Sequence, residues 1–370
     1  MQTALTEMFG LDVPVCGFSH CRDVVIALSK AGGLGVLGTA RYSATQLDIE
    51  LTKIDEALDG RPYGATIIFP TAKDDQSASD PASLRAQVPD DYWDYVRQLA
   101  DRFHISLDDS TPTDGVVNSY PLTREYALDI LDVVMKHPVA LVSSAIGAPP
   151  AEAVAELHRR GAKCSGQVGD PKHVKRHLDA GVDLIVATGT EAGGHTGEIA
   201  SLVLTPQVVR VAGDVPVLTA GGIGTGRQLT AALALGAAGA WMGSAWLVTT
   251  ESELPLELKT KLVAAKSSDT IRSRSLSGRT ARQLRTPWVE AWEEPGALTP
   301  LPAPLQGVLV KDAQAGMMKR GHEDVLGTPV GQIVGELNAI RPVRDVVLDL
   351  MVDSVDAAER VSKSFTDLPA

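Results

Sequence analysis

Asp183-Leu184-Ile185-Val186-Ala187-Thr188-Gly189-Thr190-Glu191-Ala192-Gly193-Gly194-His195 is an apolar run of strand length that ends in small residues, two glycines and a histidine. Helix-length segments flank it, so it reads as a buried strand feeding a loop. In α/β barrels the chemistry sits just past the C-terminal ends of the strands, and this reading places His195 there. Two later stretches repeat the pattern. Leu218-Thr219-Ala220-Gly221-Gly222-Ile223-Gly224-Thr225-Gly226 is a strand feeding glycines into a helix, and Gly239-Ala240-Trp241-Met242-Gly243-Ser244 is the next strand and its exit. Two adjacent strand ends with exposed backbone amides make an anion site.

Working outward, the same alternation continues in both directions. Toward the N-terminus, strands are expected near Val13, Leu34 and Tyr63. The helix Arg22 to Lys30 closes on Ala31-Gly32-Gly33, and Ser43 to Leu58 places Leu47, Leu51, Ile54 and Leu58 three or four apart. Strands near Val139 and Lys163 precede the central run at Val182, and strands near Val215 and Gly239 follow it. Asp170 and Pro171 open the helix before the central strand as N-cap and first residue. Alternating strands and helices with mostly buried strands mean a parallel sheet covered by helices. Eight such units favour a closed α/β barrel of the (β/α)8 TIM type over an open doubly wound sheet.

Two regions break the alternation. Thr71 to Tyr120 is rich in Asp, Ser, Pro and Gly and reads as an insertion after the third strand, with a helix over Tyr92 to Ala100 and a short strand candidate at Phe103 to Leu107. After residue 270 no repeat continues. Residues 1–270 are therefore expected to form the barrel with an insertion at about 71–120, and 271–370 a C-terminal extension that packs on the barrel or caps its mouth. Within it, Val343 to Val352 reads as a helix and Pro295 to Pro304 as extended.

Composition narrows the function classes. The 370 residues carry a formal charge of -12 and no Lys/Arg-rich run, so nucleic acid and anionic membrane are poor partners. No apolar run reaches membrane-spanning length. Cys16, Cys21 and Cys164 have neither disulfide nor metal-ligand spacing, which fits a reducing cytoplasm.

His195 reads either as a polar residue in a Gly-rich loop or as a catalytic acid, base or hydrogen-bond donor, since imidazole exchanges a proton near neutral pH. Gly193 and Gly194 let a flat ligand approach the backbone. Gly221 and Gly222 lack the spacing of a dinucleotide fingerprint. They fit a phosphate held after strands seven and eight of a barrel, where Gly243 and Ser244 add amides and a hydroxyl. Gln167 ends the fifth strand, as a solvated amide or a hydrogen-bonding partner of a heterocycle. At the exit of the first strand, His20 reads as a pocket residue. Arg272, Arg274, Arg279, Arg282 and Arg285 form either a solvated face or a clamp on an anionic substrate. His173 and His177 read as surface residues.

Ala31-Gly32-Gly33-Leu34-Gly35-Val36-Leu37, Glu191-Ala192-Gly193-Gly194-His195, Ala220-Gly221-Gly222-Ile223 and Met242-Gly243-Ser244, in that order, resemble the nitronate monooxygenase family, formerly called 2-nitropropane dioxygenases. The resemblance spans most of residues 11 to 287. It implies FMN as cofactor, with the phosphate at Gly222 and Gly243-Ser244 and ring contacts from Gly17, Phe18, Gln167 and Gly194. It implies His195 as the active-site histidine. The implied activity is oxidation of a nitronate or similar carbanion-forming substrate with oxygen as acceptor. The first strand ends in Cys16-Gly17-Phe18-Ser19, and Thr196 follows the histidine where the family usually has Arg. A related branch reduces enoyl-thioesters with NAD(P)H, so the alternative is an FMN-dependent acyl-CoA or enoyl-CoA reductase or dehydrogenase. In that reading Arg274 and Arg282 hold the phosphates of a CoA thioester. The partners implied are a small-molecule substrate, oxygen or NAD(P)H, and a second copy of the chain as a homodimer.

Overall fold

In the computed structural model, which describes residues 1–70, 81–107, 123–320 and 322–365, eight parallel strands close on themselves. They are β1 (Val15–Ser19), β2 (Leu34–Gly38), β3 (Tyr63–Ile67), β4 (Leu141–Ser144), β5 (Lys163–Val168), β6 (Leu184–Thr188), β8 (Val217–Ala220) and β9 (Gly239–Met242). The barrel closes where β9 pairs with β1, Cys16 opposite Trp241. β7 (Gly194–His195) lies outside the barrel wall, in a separate three-stranded sheet with β10 (Thr270–Ser273) and β11 (Ala281–Leu284). The eight expected strands are all present.

Side-chain alternation along each strand separates the two cores. Cys16, Leu34, Val36, Leu141, Leu184, Val186, Leu218 and Trp241 fill the barrel interior. Their neighbours, such as Val142, Cys164, Ile185 and Ala187, pack outward against the helices. The same alternation points Phe18, Ser143, Ser165, Gln167 and Thr188 inward, toward the C-terminal mouth. Glycine appears on the outer face where helices press closest. A Cβ on Gly17 would run into Leu28 and Trp246, and one on Gly166 would run into the His177 ring.

The insertion and the C-terminal segment build one satellite core. The helices Pro81–Ala86 and Asp90–Arg102 meet Leu305–Arg320 and Pro287–Ala291. Val96, Leu99, Ile105, Trp288, Trp292, Leu309 and Val310 are buried together there. Ile105 joins this cluster from irregular backbone, so the strand expected at Phe103 to Leu107 is absent. The residues after 270 carry regular elements that local periodicity does not reveal, including the helix Leu305–Arg320. The loop read at Asp108 to Asn118 lies outside the described residues. The last helix, Val343–Lys363, extends well past the expected Val352 and packs on Gly226–Ala234. Gly226 permits this contact, since a Cβ there would meet the Ser354 amide and the Leu350 carbonyl. No described helix is long and apolar enough to cross a membrane.

His177, expected at the surface, is fully buried behind β5. Its i,i+4 spacing from His173 and its charged neighbours suggest a solvated face, but the gap left by Gly166 takes the ring in. Neither ring nitrogen has a hydrogen-bond partner among the described residues. Burial, with Arg176 and His173 nearby, lowers its pKa to about 4. The folded state therefore excludes a proton that the unfolded chain binds below 6.5, so this contribution is full above 6.5 and is lost as pH falls toward 4. Urea unfolding at stepped pH should show stability dropping across that window. His177→Leu should flatten part of the slope, with His20, lowered in the same way, supplying another part.

Candidate active site

The loop after β6 is fixed from three sides before it reaches His195. Glu191 turns back under the barrel rim, and its carboxylate accepts from the Ser201 amide at 3.1 Å and from the Ser201 hydroxyl. It thereby caps the helix Ser201–Ala212 with the negative charge that a helix N-terminus favours. Gly193 then crosses Gly331: a Cβ on Gly193 would lie 2.8 Å from the Gly331 amide nitrogen. The Gln332 amide donates to the Glu191 carbonyl at 2.9 Å. Finally Gly194 and His195 pair antiparallel with Arg282 and Ala281. The hairpin of β10 and β11 is thus hydrogen-bonded into the histidine loop.

The imidazole of His195 is exposed along one edge and crowded by protein along the rest. Its Nδ1 lies 3.3 Å from the Thr280 carbonyl, and its Nε2 lies 3.5 Å from the Ser277 hydroxyl. A carbonyl only accepts, so in the neutral ring Nδ1 carries the hydrogen and Nε2 keeps a lone pair. Desolvation lowers the His195 pKa, the Arg279 charge acts in the same direction, and the Thr280 bond opposes them. Thr280 and Ser277 do not stand out in the sequence by residue type; the Ser277-Gly278 turn between two alternating segments was the available signal.

The neighbouring strand ends supply amides. Gly221 and Gly222 both have positive φ, 98° and 71°, so the backbone turns outward after β8 in a way that favours glycine. Among the described residues, the amides of Gly222, Ile223, Gly243 and Ser244 donate to no protein acceptor. The helix that follows, Gly226–Ala234, is already satisfied at its start. Gln228 Oε1 accepts from the Gly224 and Thr225 amides, and Asp353 accepts from the Arg227 amide. An anion here would meet the loop amides and not the helix end. The Ser244 hydroxyl oxygen accepts from the Gly331 amide at 2.9 Å, which leaves its own hydrogen to donate.

The floor of the mouth is aromatic. Phe18 stacks on Trp241 with centroids 6.5 Å apart and meets His20 edge-on at 5.1 Å. His20 Nδ1 lies 3.1 Å from the Gly38 carbonyl, and the ring occupies the space that a side chain at 38 would need. Burial and the Arg41 charge lower the His20 pKa to about 4, so the ring is neutral. The hydroxyls of Ser143, Ser165 and Thr188 are buried in the barrel interior with no partner among the described residues.

Three residues read as ligand contacts stand elsewhere. Gly17 faces the helix layer, because strand alternation turns its neighbour Phe18 inward and Gly17 outward. Arg282 is buried, and its guanidinium donates to the Thr190 carbonyl at 2.9 Å and the Thr270 hydroxyl at 3.0 Å. It holds the loop to the hairpin. Arg274 lies on the outer side of the hairpin, where its Nε donates to the Gly278 carbonyl. A surface cleft of about 490 Å³ lies at the opposite end of the barrel near Met1, Asp214 and Ala238 and has no part in this site.

The family model described as nitronate monooxygenase matches residues 3–353. The chain belongs to the nitronate monooxygenase family. Members of this family are FMN-dependent oxidoreductases. A Mycobacterium tuberculosis protein provisionally named a monooxygenase is 43% identical over 364 residues, covering 96% of this chain and 97% of its own. A Rhodococcus jostii protein named as a hydroxy-methyl-oxo-octahydroindene-carboxyl-CoA dehydrogenase is 31% identical, covering 86% of this chain and 75% of its own. The solved structure of a nitroalkane oxidase from Streptomyces ansochromogenes superposes with a TM-score of 0.78 at 26% identity, over 97% of this chain and all of that one.

Because Arg282 ties Thr190 to Thr270, Arg282→Ala should lower the thermal midpoint, at a cost of about 1.5–3 kcal/mol for lost charged hydrogen bonds. It should also lower turnover with little change in KM. A pure rise in KM would instead make Arg282 a substrate contact.

Proposed function

We propose that this nitronate monooxygenase family member holds FMN across the barrel mouth and oxidises a small substrate whose α-carbon becomes carbanionic, a nitroalkane or its nitronate, with oxygen as acceptor. The observation that carries this reading is the set of unpartnered amides at Gly222, Ile223, Gly243 and Ser244, on the two strand ends beside the His195 loop. Four orphan donors at converging strand ends fit a phosphate. The floor of Phe18 and Trp241 and the inward amide of Gln167 fit a flat heterocycle with polar edges. Gly194, with φ of 80° and open space at its missing Cβ, lets such a ligand approach the backbone. FMN bound here would accept the electrons leaving the substrate carbon and deliver them to oxygen.

The chain's own residues handle the proton and the charge. His195 is neutral at neutral pH, with the Thr280 carbonyl fixing its tautomer, so Nε2 can take the α-proton. The resulting imidazolium keeps its bond to Thr280. His20 offers a polar edge without a charge, which avoids neutralising an anionic substrate in the wrong place. Arg282 and Glu191 hold the loop at a fixed height above the barrel.

A second reading is favoured by one specific feature, Arg274 on the hairpin, which meets no carboxylate among the described residues. A thioester also has an acidic α-carbon, and the same base would serve a CoA substrate like that named for the Rhodococcus relative.

His195→Asn should retain FMN yet lose about 10²–10⁴-fold in rate on a neutral nitroalkane, with a smaller loss on the preformed nitronate, which brings no α-proton. The wild-type rate should fall as pH drops through a pKa below 6.5, and the variant should lack that limb. Steady-state oxygen uptake checks both. Equal losses on the two substrates would remove His195 from the base role.

A further inference from the structure

A cation stands on the barrel rim half a turn away from His195. Strand β2 leads into the short turn Thr39–Arg41, which places Arg41 at the C-terminal mouth. The turn is held on both sides of it. The Thr39 hydroxyl donates to the Thr66 carbonyl at 2.6 Å, and the hydroxyl of the buried Tyr42 donates to the His20 carbonyl at 2.6 Å. Arg41 itself is exposed and makes no hydrogen bond and no ion pair among the described residues.

Its charge nevertheless falls inside the mouth. It acts on the His20 ring, which meets Phe18 edge-on at 5.1 Å on the aromatic floor. Burial lowers the Arg41 pKa, while Tyr42 and Glu253 act the other way. A side chain that solvent reaches and protein still desolvates lines a concavity. Glu253 attracts the guanidinium without closing to an ion pair, so its donors stay free, and it stays charged.

The ring order of the strands sets what Arg41 can reach. From β6, which carries the His195 loop, β2 is four strands away in either direction. One way round passes β8, β9 and β1, with the orphan amides and the floor of Phe18 and Trp241. The other passes β5, β4 and β3, and this sector is polar. Thr66, Ser143 and Ser165 sit side by side on it, level with Gly38 at the end of β2. The Ser143 and Ser165 hydroxyls are fully buried and have no partner among the described residues. Gln167 stands one inward position above Ser165. Buried hydroxyls left without a partner are costly unless a ligand or water satisfies them.

A nitro or nitronate group is bonded directly to the carbon that faces His195, so its oxygens remain on the His195 side. A group held by Arg41 lies further along the substrate. A guanidinium with free donors suits a carboxylate, through two parallel bonds. We propose that Arg41 anchors a carboxylate carried by the substrate several bonds from its reacting carbon, with the body of the substrate lying over the hydroxyl-lined sector from β3 to β5. The inference deepens the function proposed above and rests on it for the position of the reacting carbon. His20, neutral beside Arg41, leaves the anion to the guanidinium. Contacts to remote parts of a substrate supply binding that positions its reacting end.

Titration calorimetry of the FMN-loaded full chain with butanoate and its neutral isostere butyramide tests the anchor. Butanoate should bind about ten- to hundredfold more tightly than butyramide. Arg41→Gln should erase that preference, and Arg41→Lys should restore part of it. Oxygen uptake on 4-nitrobutanoate and 1-nitropentane gives the kinetic counterpart. Arg41→Gln should raise KM for the acid about tenfold or more, with a smaller change in kcat, and should shrink the preference for the acid over the neutral compound. Equal binding of butanoate and butyramide, no binding of either, or a butanoate preference that survives Arg41→Gln overturns the anchor. The two readings fail separately. A chain that binds butanoate through Arg41 and oxidises neither nitro compound refutes the nitroalkane reading of the mouth and leaves this site standing. A chain that oxidises both with the same KM, with or without Arg41, refutes the anchor.

Discussion

The crossing of Gly193 and Gly331 is the contact on which the rest of the site depends. Each residue sits where a side chain on the other would have to be: a Cβ on Gly331 would lie 2.7 Å from the Glu191 carbonyl and 3.0 Å from the Gly193 amide. Two backbones this close leave the histidine loop little room to move. The crossing also brings a segment from the far end of the chain onto the barrel mouth. There the Gly331 amide donates to Ser244, and the Gln332 amide donates to Glu191. One short stretch thereby ties the His195 loop to the strand end that carries Gly243 and Ser244. The geometry between His195 and the Gly243 and Ser244 amides is set by these backbone contacts.

The C-terminal segment is consequently part of the site. Its hairpin forms two of the three strands in the sheet that includes His195, and the Thr280 carbonyl in that hairpin selects the imidazole tautomer. The satellite core of the insertion and the helix Leu305–Arg320 supports this hairpin from outside through Trp288, Trp292 and Leu309. A barrel alone would present the glycines, the orphan amides and the aromatic floor. It would not hold the histidine loop in place or fix the tautomer.

The barrel was legible in the sequence because its signals are local. Apolar runs of strand length, Gly and Pro punctuation and helix caps such as Asp170-Pro171 each specify structure within a few residues. The strand-end glycines, Phe18, Gln167 and His195 were legible for the same reason, since strand exits point at the mouth. What was not legible depends on distant partners. A two-residue strand at Gly194–His195 exists only because Ala281 and Arg282 pair with it. Arg282 looks like a free cation until Thr190 and Thr270 are seen around it. His177 reads as a solvated residue because Lys175, Arg176 and Asp179 surround it in sequence, while the vacancy that takes its ring is made by Gly166 on another element. Gly17 misleads by one position, since a period of two turns a mouth residue into a helix-facing one.

The most direct test is a crystal structure of the FMN-loaded chain. Phosphate oxygens within hydrogen-bond distance of the Gly222, Ile223, Gly243 and Ser244 amides, with His195 Nε2 open toward the flavin's ring, are the expected result. A phosphate seated on other donors, or a His195 ring turned away with Nδ1 released from Thr280, would contradict the assignment.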